Sequence, residues 1–472
     1  MVSLQNKKIL FFAGVSGRDT LMNAVDKEIQ QRYNVKTHYV AHMRQNYDFL
    51  IRSGVSKDNI TPIYTKRNIR HTKPDMKYLR KCEEKYGFKI WDIWSVSSCR
   101  TKQRMTMKNR KVLSQIEYVI RTYEKVLDDF KPNYYIYAGL ACYSTLVCCY
   151  IAHKKNIKVM EFQQALLPNR FAISDDAENN WPILIKEYAK LKKRKLTPAE
   201  LRQAKGFLKK YQNRPSKPDS ARKFEEPLLI RFRKVTTFVK NSIKYRQIPS
   251  MMTLGPVIIW PIRGKLIDRL NIYNKPRIGK EKYVLFPLQF QPEASTLIHG
   301  KWNINQLELI RKISRSLPVD YKLYVKEHTY RYSNKELDMY KQIKLLPNTR
   351  LLSPYEKTFD LMRNSEMVIT NTGTTAFEAA LLEKPSIHFG NTAFAVFEGA
   401  KKVKDLSQLP NIFQRELNSR IDEHNLLKFI SSLFKSTYPG LGRLPADCKN
   451  KSLAPQNISR LVDGIEKYIK AL

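Results

Sequence analysis

The sequence predicts an α/β protein with two Rossmann-like domains that face each other across a cleft, joined by a basic helical insertion. Short apolar runs alternate with helical patterns in both halves of the chain, which is typical of sheets covered by helices. At 472 residues the chain is too long for one ordinary hydrophobic core. The predicted divisions are a first domain over residues 1–180, a connector over 181–280 and a second domain over 281–472.

The first domain begins with the pattern of a Rossmann unit. The predicted elements are a strand over 8–12, a loop over 13–19, a helix over 20–33 and a strand over 35–41. Gly14 and Gly17 lie in the loop, but they lack the GxGxxG spacing of a dinucleotide site. Functional groups collect where such a strand ends, so Asp19 is a candidate catalytic base and Arg18 a candidate phosphate or acceptor contact. A purely structural role for Asp19 as a helix cap fits the pattern equally well.

A second group of candidate residues follows a later strand of the same domain. The elements predicted here are a helix over 113–129, a strand over 134–137, a helix over 140–153 and a strand over 157–162. Glu161 lies near the carboxyl end of the last strand, and Arg170 lies in the loop beyond it. Glu161 can act as a general base, or it can pair with Arg170 and shape the loop. Arg170 is also a candidate phosphate or acceptor contact.

The charge of the chain predicts a polyanionic partner. Lys and Arg number 85 against 43 Asp and Glu, which gives a net charge of +42. Residues 186–246 are strongly basic, and a largely apolar run follows at 251–262. This combination favours an anionic bilayer, whereas nucleic-acid binding would need basic residues interleaved with aromatics along a groove. The alternative is a helical insertion whose basic face is only solvated.

Cysteine usage and hydropathy predict a cytoplasmic protein that is peripheral at the inner face of the cell membrane. The six cysteines show no metal-binding spacing, which is typical of a reducing compartment. The apolar run at 9–15 is too short for a signal peptide, and no stretch reaches the roughly 20 apolar residues of a membrane-spanning helix. No Asp-x-Asp motif occurs, so we expect neither a metal ion nor another cofactor.

Three short polar motifs in the second domain each follow a predicted strand. The first contains Gln289 and Glu293, and the second contains Lys326 and His328. The third is a polar turn over 371–374. Because the carboxyl ends of parallel strands meet at one edge of a sheet, we expect the three motifs to lie close together.

The polar turn joins a buried strand to a helix. Asn371, Thr372 and Thr374 each carry a hydrogen-bonding side chain, and Gly373 lets a ligand approach the backbone. Backbone N–H groups at the start of a helix attract anions. The turn therefore predicts a phosphate site, and a well-capped turn without a ligand is the alternative.

These motifs resemble those of the capsule polysaccharide biosynthesis family, which includes glycosyltransferases that use the CMP-activated keto-deoxy sugar Kdo. The resemblance is carried by VLFPLQFQPEAS, LYVKEH and VITNTGTTAFEAALLEKPSIHFG, and more weakly by MEFQQALLPNRFAISDD. It implies a glycosyltransferase of the two-Rossmann GT-B type. The second domain would then bind a nucleotide-sugar donor, and the first would receive a polysaccharide or lipid-linked glycan acceptor.

The resemblance also implies roles for individual residues. His328 stands at a histidine that contacts the donor phosphate and assists the leaving group. Lys326 is a second candidate contact to that phosphate, and Glu293 is a further candidate donor-binding residue. Gln289 stands at the glutamine of the family's Pro-Leu-Gln motif, residues 371–374 stand in the loop that receives the donor phosphate, and Glu378 stands at a ribose-binding glutamate. The sequence departs from the Kdo enzymes at Thr329, where they have proline, and in its Thr-Gly-Thr-Thr loop.

Two other functions stay open at this point. One is a nucleotide-sugar 2-epimerase of the same fold, although that class usually shows additional carboxylates close to a histidine. The other is a catalytically inactive protein that binds polyanions or membranes. The expected partners are a nucleotide sugar, a glycan acceptor and an anionic inner-membrane surface, without nucleic acid.

Overall fold

A computed structural model of the chain describes residues 4–14, 18–64, 73–98, 108–139, 142–175, 177–179, 181–215, 236, 260–291, 293, 295–328, 337–443 and 449–472. The chain forms two compact units. The first contains Met1–Lys193 together with Ser432–Leu472, and the second contains Arg194–Ser431.

The first unit is built on a seven-stranded sheet. Its strands are β1 (Lys8–Ala13), β2 (Lys36–Ala41), β3 (Ile60–Pro62), β4 (Tyr134–Tyr137), β5 (Lys158–Gln164), β6 (Arg170–Ser174) and β13 (Tyr438–Pro439). Their order across the sheet is β13-β6-β5-β4-β1-β2-β3. Strands β1 to β5 run parallel, whereas β6 pairs antiparallel with both β5 and β13. The apolar run Ile9–Phe11 in β1 is buried, as expected for a strand covered on both faces.

The described helices of the first unit surround this sheet. They are α1 (Arg18–Arg32), α2 (Arg44–Arg52), α3 (Met76–Tyr86), α4 (Ile90–Ser98), α5 (Asn109–Phe130), α6 (Tyr143–Lys154), α7 (Pro182–Lys192), α16 (Lys449–Ser452) and α17 (Pro455–Ala471). The apolar face of α17, with Leu461, Ile465 and Tyr468, is buried in the same core as Leu21 and Val25 of α1. This burial ties the end of the chain to its beginning.

The second unit is built on a six-stranded parallel sheet. Its strands are β7 (Lys282–Pro287), β8 (Tyr321–Lys326), β9 (Thr349–Leu352), β10 (Met367–Thr370), β11 (Ser386–His388) and β12 (Ala400–Lys402). Their order is β12-β11-β10-β7-β8-β9, so β7 lies between β10 and β8 at the centre. Residues 283–286 of β7 and all four residues of β10 are buried, which is typical of parallel sheets with helices on both faces.

The described helices of the second unit begin with α8, whose start carries Thr197-Pro198-Ala199-Glu200, a sequence pattern that predicts a capping box. They are α8 (Pro198–Gln212), α9 (Trp260–Arg269), α10 (Gln306–Ser316), α11 (Leu337–Lys344), α12 (Thr358–Arg363), α13 (Thr375–Leu381) and α14 (Leu409–Glu416). The division between the units falls in α15 (Glu423–Ser436). At α8, Thr197 Oγ1 accepts from the backbone N–H of Glu200 (3.3 Å), and Glu200 Oε2 accepts from that of Thr197 (2.9 Å). The two side chains satisfy helix-end N–H groups, as the sequence pattern predicted.

The two-Rossmann prediction is confirmed, but the predicted division of the chain differs from the observed units. The second domain was predicted to extend over 281–472, whereas 432–472 belong to the first unit because α17 buries its apolar face on α1. The predicted connector is also divided. Helix α7 belongs to the first unit, and α8 belongs to the second.

One predicted helix start is wrong. The Ser-Pro-Tyr-Glu pattern at 353–356 predicts a capping box, yet α12 begins only at Thr358. Ser353 instead closes a turn: its hydroxyl accepts from the backbone N–H of Tyr355 (3.2 Å), and its carbonyl accepts from that of Glu356 (3.2 Å). Local side-chain bonds of this kind compete with helix formation.

Some sequence predictions fall outside the described residues. These are most of the basic segment between 216 and 246, and positions 251–259 of the apolar run. Within the described ranges, no helix is both long enough and apolar enough to cross a membrane.

Candidate functional site

The three polar motifs of the second unit leave one edge of its sheet side by side. Pro287 at the end of β7 pairs with Lys326 at the end of β8. On the other side, Val368 of β10 pairs with Leu285, so Thr370 is level with Pro287. The loops that follow these strands therefore start at the same height, at the carboxyl edge where open α/β sheets bind ligands.

Gln289 links the loop after β7 to the polar turn after β10. With its side-chain amide oxygen facing the turn, Gln289 accepts from the backbone N–H of Gly373 (2.8 Å), the Thr372 hydroxyl (3.0 Å) and the backbone N–H of Thr372 (3.1 Å). Its own backbone exchanges two hydrogen bonds with the side-chain amide of Gln306 on α10. The predicted donor-binding glutamine thus holds the turn in shape.

Asn371 is completely buried beneath the turn. Its side-chain nitrogen donates to the carbonyl oxygens of Gly300 (3.3 Å) and Asn303 (3.1 Å). The backbone carbonyl of Asn371 accepts from the backbone N–H groups of Phe389 (3.1 Å) and Gly390 (2.7 Å). The Asn371 side chain was predicted to contact the donor, but burial makes it a structural residue that joins the turn to its neighbours.

Gly373 is required by packing within the turn. Its backbone N–H donates to Thr370 Oγ1 (2.9 Å), and a Cβ at this position would lie 2.6 Å from the same oxygen. A larger residue would therefore push the turn off the end of β10. The sequence predicted a glycine that admits a ligand, and the structure adds a close contact inside the protein.

Thr374 is exposed, and its hydroxyl donates to Glu378 Oε1 (3.0 Å). The other oxygen of Glu378 accepts from the Tyr211 hydroxyl (2.9 Å) and lies 3.5 Å from Arg214 Nη2. Burial, followed by the negative charge of Glu378, raises the pKa of Tyr211. The predicted ribose-binding carboxylate thus attaches the end of α8 to the start of α13.

Glu293 stands at the outer rim of the same edge. Its side chain is exposed, and it accepts from the Ser295 hydroxyl (3.2 Å). Its carbonyl accepts from the Thr296 hydroxyl (3.0 Å) at the start of the π-helical turn Ser295–His299. Thr372 also donates to the carbonyl of Ser295 (3.1 Å), so this turn is bound to the polar turn.

The loop after β8 places Lys326 and His328 in different environments. Lys326 is buried, and its ammonium donates to the carbonyls of Glu327 and Pro354 (both 3.2 Å). His328 is half-buried, with its ring centre 6.2 Å from that of Phe290 in the loop after β7. Of the two predicted phosphate contacts, His328 therefore lies where a ligand can reach it, and Lys326 lies within the protein.

In the first unit, Arg18 and Asp19 lie at the start of α1. Asp19 is buried, accepting from the backbone N–H of Gly14 (3.0 Å) and the side-chain amide of Asn46 (2.7 Å). Arg18 donates to the carbonyl of Ala138 just beyond β4 (2.6 Å). These contacts give both residues structural partners within their own unit.

Glu161 is buried at the level where the parallel part of the first sheet ends. It pairs with Tyr137, the last residue of β4, on one side and with Ser174 on the other. The Tyr137 hydroxyl lies 3.4 Å from Glu161 Oε2. The sequence predicted Glu161 near the carboxyl end of its strand. In the structure β5 continues to Gln164 and pairs with β6, so Glu161 lies inside a β-hairpin.

Arg170 stabilises the end of α15. Its guanidinium donates to the Thr437 hydroxyl (2.8 Å), to the Phe434 carbonyl (3.0 Å) and to the Thr437 carbonyl. Desolvation at this position lowers the pKa of Arg170. Arginine near a helix C-terminus satisfies carbonyls that have no partner in the helix, so this predicted phosphate contact has a structural role.

A polar cluster that the sequence analysis missed lies at the carboxyl edge of the first sheet. His42 follows β2 directly, and its Nδ1 lies 3.0 Å from the hydroxyl of Ser144 at the start of α6. The thiol of Cys142 lies 3.1 Å from the same hydroxyl, and all three side chains are buried. The position of His42 just after an apolar strand was the one available indication, because Ser144 lies 102 residues away in sequence.

The part of the chain that the structure describes contains no group of three or more His, Cys, Asp or Glu side chains arranged to hold a metal ion. Among the described residues, the exposed or half-exposed polar groups at the edge of the second sheet include those of Gln289, Glu293, His328, Thr372 and Thr374. They offer hydrogen-bond donors and an imidazole to an oxygen-rich ligand.

Comparison with known proteins finds one family similarity, which lies in the second unit. Residues 262–422 match the family described as capsule polysaccharide biosynthesis protein. This match covers the three motif-bearing strands and the loops that follow them. No curated protein sequence matches the chain.

Several solved structures are similar at low identity. A KpsC β-Kdo 2,7-transferase of Thermosulfurimonas dismutans is 14% identical, with 80% of this chain and 97% of that chain covered and a TM-score of 0.39. A β-Kdo 2,4-transferase of the same organism is 13% identical, with 70% of this chain and 85% of that chain covered and a TM-score of 0.36. The UDP-GlcNAc 2-epimerase of Neisseria meningitidis is 14% identical, with 91% of this chain and 98% of that chain covered and a TM-score of 0.24.

Proposed function

Because residues 262–422 match the capsule polysaccharide biosynthesis family, we propose that this protein is a glycosyltransferase. It moves a sugar from a nucleotide-activated donor to a growing capsule polysaccharide or related surface glycan. A CMP-Kdo-like molecule is the first donor to test. The observation that carries the proposal is the loop after β7: Gln289 holds the turn containing Thr372 and Gly373, and Phe290 lies beside His328.

The chemistry of glycosyl transfer fits these groups. As the bond to the sugar breaks, the ring gains oxocarbenium character and negative charge grows on the departing phosphate. Hydrogen-bond donors aimed at that phosphate stabilise the transition state more than the ground state. In our proposal His328 donates to the leaving phosphate, and the Thr374 hydroxyl turns from Glu378 to donate to a second phosphate oxygen.

The acceptor hydroxyl needs a base, and we propose Glu161 for this role. Glu161 is buried beside Tyr137, the last residue of β4, at the level where the parallel strands end, whereas both carboxylate oxygens of Asp19 hold Gly14 and Asn46. Glu161→Gln removes the basic oxygen at almost constant shape. The expected result is a large loss of kcat with nucleotide affinity unchanged, and full activity in this variant would contradict the assignment.

The nucleotide is identified by the rise in melting temperature that each candidate produces. CMP, UDP and GDP are added separately, and the matching nucleotide at 100 times its Kd is expected to raise Tm by about 5 °C. Radiolabelled donor with a capsule acceptor then tests transfer. Stabilisation by none of the three would favour a catalytically inactive protein, and epimerisation without an acceptor would favour a 2-epimerase.

We also propose that the protein works at the cytoplasmic surface of an anionic membrane. Arg202, Lys205 and Lys209 are exposed along one face of α8, opposite the buried Ala204 and Leu208. Basic side chains near an anionic bilayer each contribute about 1 kcal/mol to binding.

Vesicle binding tests the membrane proposal. Changing Arg202, Lys205 and Lys209 together to Glu is expected to lower binding to phosphatidylglycerol vesicles and to leave the weak binding to phosphatidylcholine unchanged. The matched control changes Lys77, Arg80 and Lys81 on α3, which are also exposed, by the same total charge. Equal losses in both triple variants would mean that net charge alone, and no particular face, binds the vesicles.

A further inference from the structure

Trp302 is exposed beside the polar turn of the second unit. It is the middle residue of the 3-10 turn Lys301–Asn303, and 83% of its surface is accessible. Tryptophan is rarely left so exposed, because burying an indole removes a large apolar area from water. An exposed indole next to the polar turn offers a flat apolar face on which a ligand ring can stack.

The backbone on both sides of Trp302 is fixed. The buried amide of Asn371 donates to the carbonyls of Gly300 and Asn303, and Asn303 N–H donates to the Gly300 carbonyl (2.9 Å). A Cβ at Gly300 would lie 2.4 Å from Asn371 Nδ2, which shows how closely the two segments approach. Trp302 is therefore presented on a rigid turn attached to the proposed donor loop, so little conformational entropy is lost when a ligand stacks on it.

Lys301 adds a positive charge to this surface. Its ammonium lies 5.4 Å from the centre of the Trp302 ring, within cation–π distance. An aromatic face next to an ammonium suits a ring that has an apolar face and a negative substituent. The pyranose ring of an acidic sugar has both features, because its axial C–H groups form an apolar face and its carboxylate pairs with lysine.

We propose that Lys301 and Trp302 form a subsite for an acidic sugar residue. This inference rests on the proposed function in one respect: the adjoining donor loop brings a glycan to this edge of the sheet. The acidic sugar can belong to the donor or to the acceptor chain, and both present the same chemistry. The net charge of +42 agrees with an anionic glycan.

Binding calorimetry on the full chain tests the subsite. The probes are a tetramer of N-acetylneuraminic acid and a hexamer of galacturonic acid, with maltohexaose as the neutral comparison. Trp302→Ala is expected to weaken binding of the better acidic probe about tenfold. Trp302→Phe keeps an aromatic face and should lose less, and Lys301→Gln should reduce the preference for acidic over neutral probes.

Trp91→Ala is the matched control, because Trp91 is 52% exposed on α4 of the first unit. This variant should bind all probes like the unmodified protein. A second arm compares CMP-N-acetylneuraminic acid with CMP alone. If Trp302→Ala weakens only the nucleotide sugar, the acidic residue belongs to the donor, and if it weakens only the oligosaccharide, the residue belongs to the acceptor.

Three results would overturn the inference. The first is that Trp302→Ala binds the acidic probes as tightly as the unmodified protein does, and the second is that the unmodified protein binds no acidic probe. The third is that Trp302→Ala loses as much affinity for CMP, UDP or GDP as for the acidic probes, which would make Trp302 a nucleobase contact. If acidic probes bind through Trp302 while no nucleotide binds, the proposed glycosyltransferase function fails and the subsite stands.

Discussion

At the scale of single residues, burial separates the polar side chains of the second unit into two kinds. Asn371 and Lys326 are buried and bonded to backbone carbonyls, whereas His328 and Thr374 lie within reach of solvent. The first kind fixes the shape of the edge, and the second is available to a ligand. Replacing a buried residue should therefore change the stability of the fold, whereas replacing an accessible one should change activity.

Replacing His328 with Ala should reduce transfer without unfolding the protein. Removal of one donor to a developing negative charge lowers kcat by about 10²–10³-fold, whereas the half-buried ring contributes little to the core. Steady-state kinetics of the variant measure this loss, and an unchanged Tm shows that the fold is intact. His424→Ala, at an exposed position on α15, is the control. A His328→Ala protein with full kcat would contradict the leaving-group role.

Replacing Asn371 with Ala should destabilise the second unit by about 1–3 kcal/mol, since two backbone carbonyls would lose a buried donor. Urea unfolding measures the change. Thr374→Ala, three residues along the chain at an exposed position, should change stability by less than about 0.5 kcal/mol. Equal losses at the two positions would refute the structural role of Asn371.

The positions of Gln289, His328 and the polar turn at one edge follow from the strand pattern alone, because each follows a short apolar run. The inward direction of Asn371 and Lys326 could not be predicted in the same way. Their partners, the carbonyls of Gly300, Asn303 and Pro354, are backbone atoms of distant segments, and no residue type in the sequence marks them. Sequence patterns identify which loops meet, but not which side chains point into the protein.

At the scale of elements, the contact of Glu378 with Tyr211 joins α8 to α13. Tyr211→Phe removes the hydroxyl, and we expect a loss of about 0.5–1.5 kcal/mol in the free energy of unfolding. A double-mutant cycle with Glu378→Gln should show a coupling energy of about 0.5–3 kcal/mol between the two residues. If Glu378 instead acts only on the ribose of a donor, Glu378→Gln will change nucleotide affinity and the coupling will be close to zero.

The capping box at α8 and the failed one at 353–356 show why element boundaries are only partly predictable. Both stretches have a hydroxyl residue followed by Glu three positions later. At Thr197 the two side chains bond reciprocally, whereas Ser353 uses its hydroxyl and carbonyl to close a turn. The same letters permit both local hydrogen-bond patterns, and tertiary packing selects one of them.

At the scale of the whole molecule, acid should destabilise the second unit. Burial lowers the pKa of His388 to about 4, and the hydrogen bond from Arg350 lowers the pKa of Glu281 to about 2. The unfolded chain binds protons at both residues more readily than the folded one does. Stability is therefore complete above about pH 6.5, falls toward pH 4 as His388 takes up a proton, and falls again between about pH 4.5 and 2 through Glu281.

Melting temperatures recorded from pH 7.5 to 4.5 test the His388 contribution. His388→Asn keeps a donor for the Gly390 carbonyl but cannot take up a proton in this range, so its Tm should fall less steeply than that of the unmodified protein. His424→Asn, at an exposed position, should keep the original slope. Parallel curves for His388→Asn and the unmodified protein would exclude His388 as a source of the pH dependence.

The two-domain α/β plan was predictable because strand and helix periods alternate through both halves of the chain. The assignment of 432–472 to the first unit was harder to predict. The sequence pattern of α17 shows that one face of the helix is apolar, but it does not show which of the two cores that face covers. Only packing against Leu21 and Val25 of α1 decides which core it completes.

The return of the chain to its first unit has a consequence for synthesis on the ribosome. Residues 194–431 form the second unit as one continuous segment, whereas the first unit needs 432–472 to complete its core. Domains generally fold as units while the chain emerges. The nascent second unit can therefore complete its fold before the first, although its residues are made later. Until residues 432–472 are made, the apolar residues of the first unit that α17 covers stay exposed.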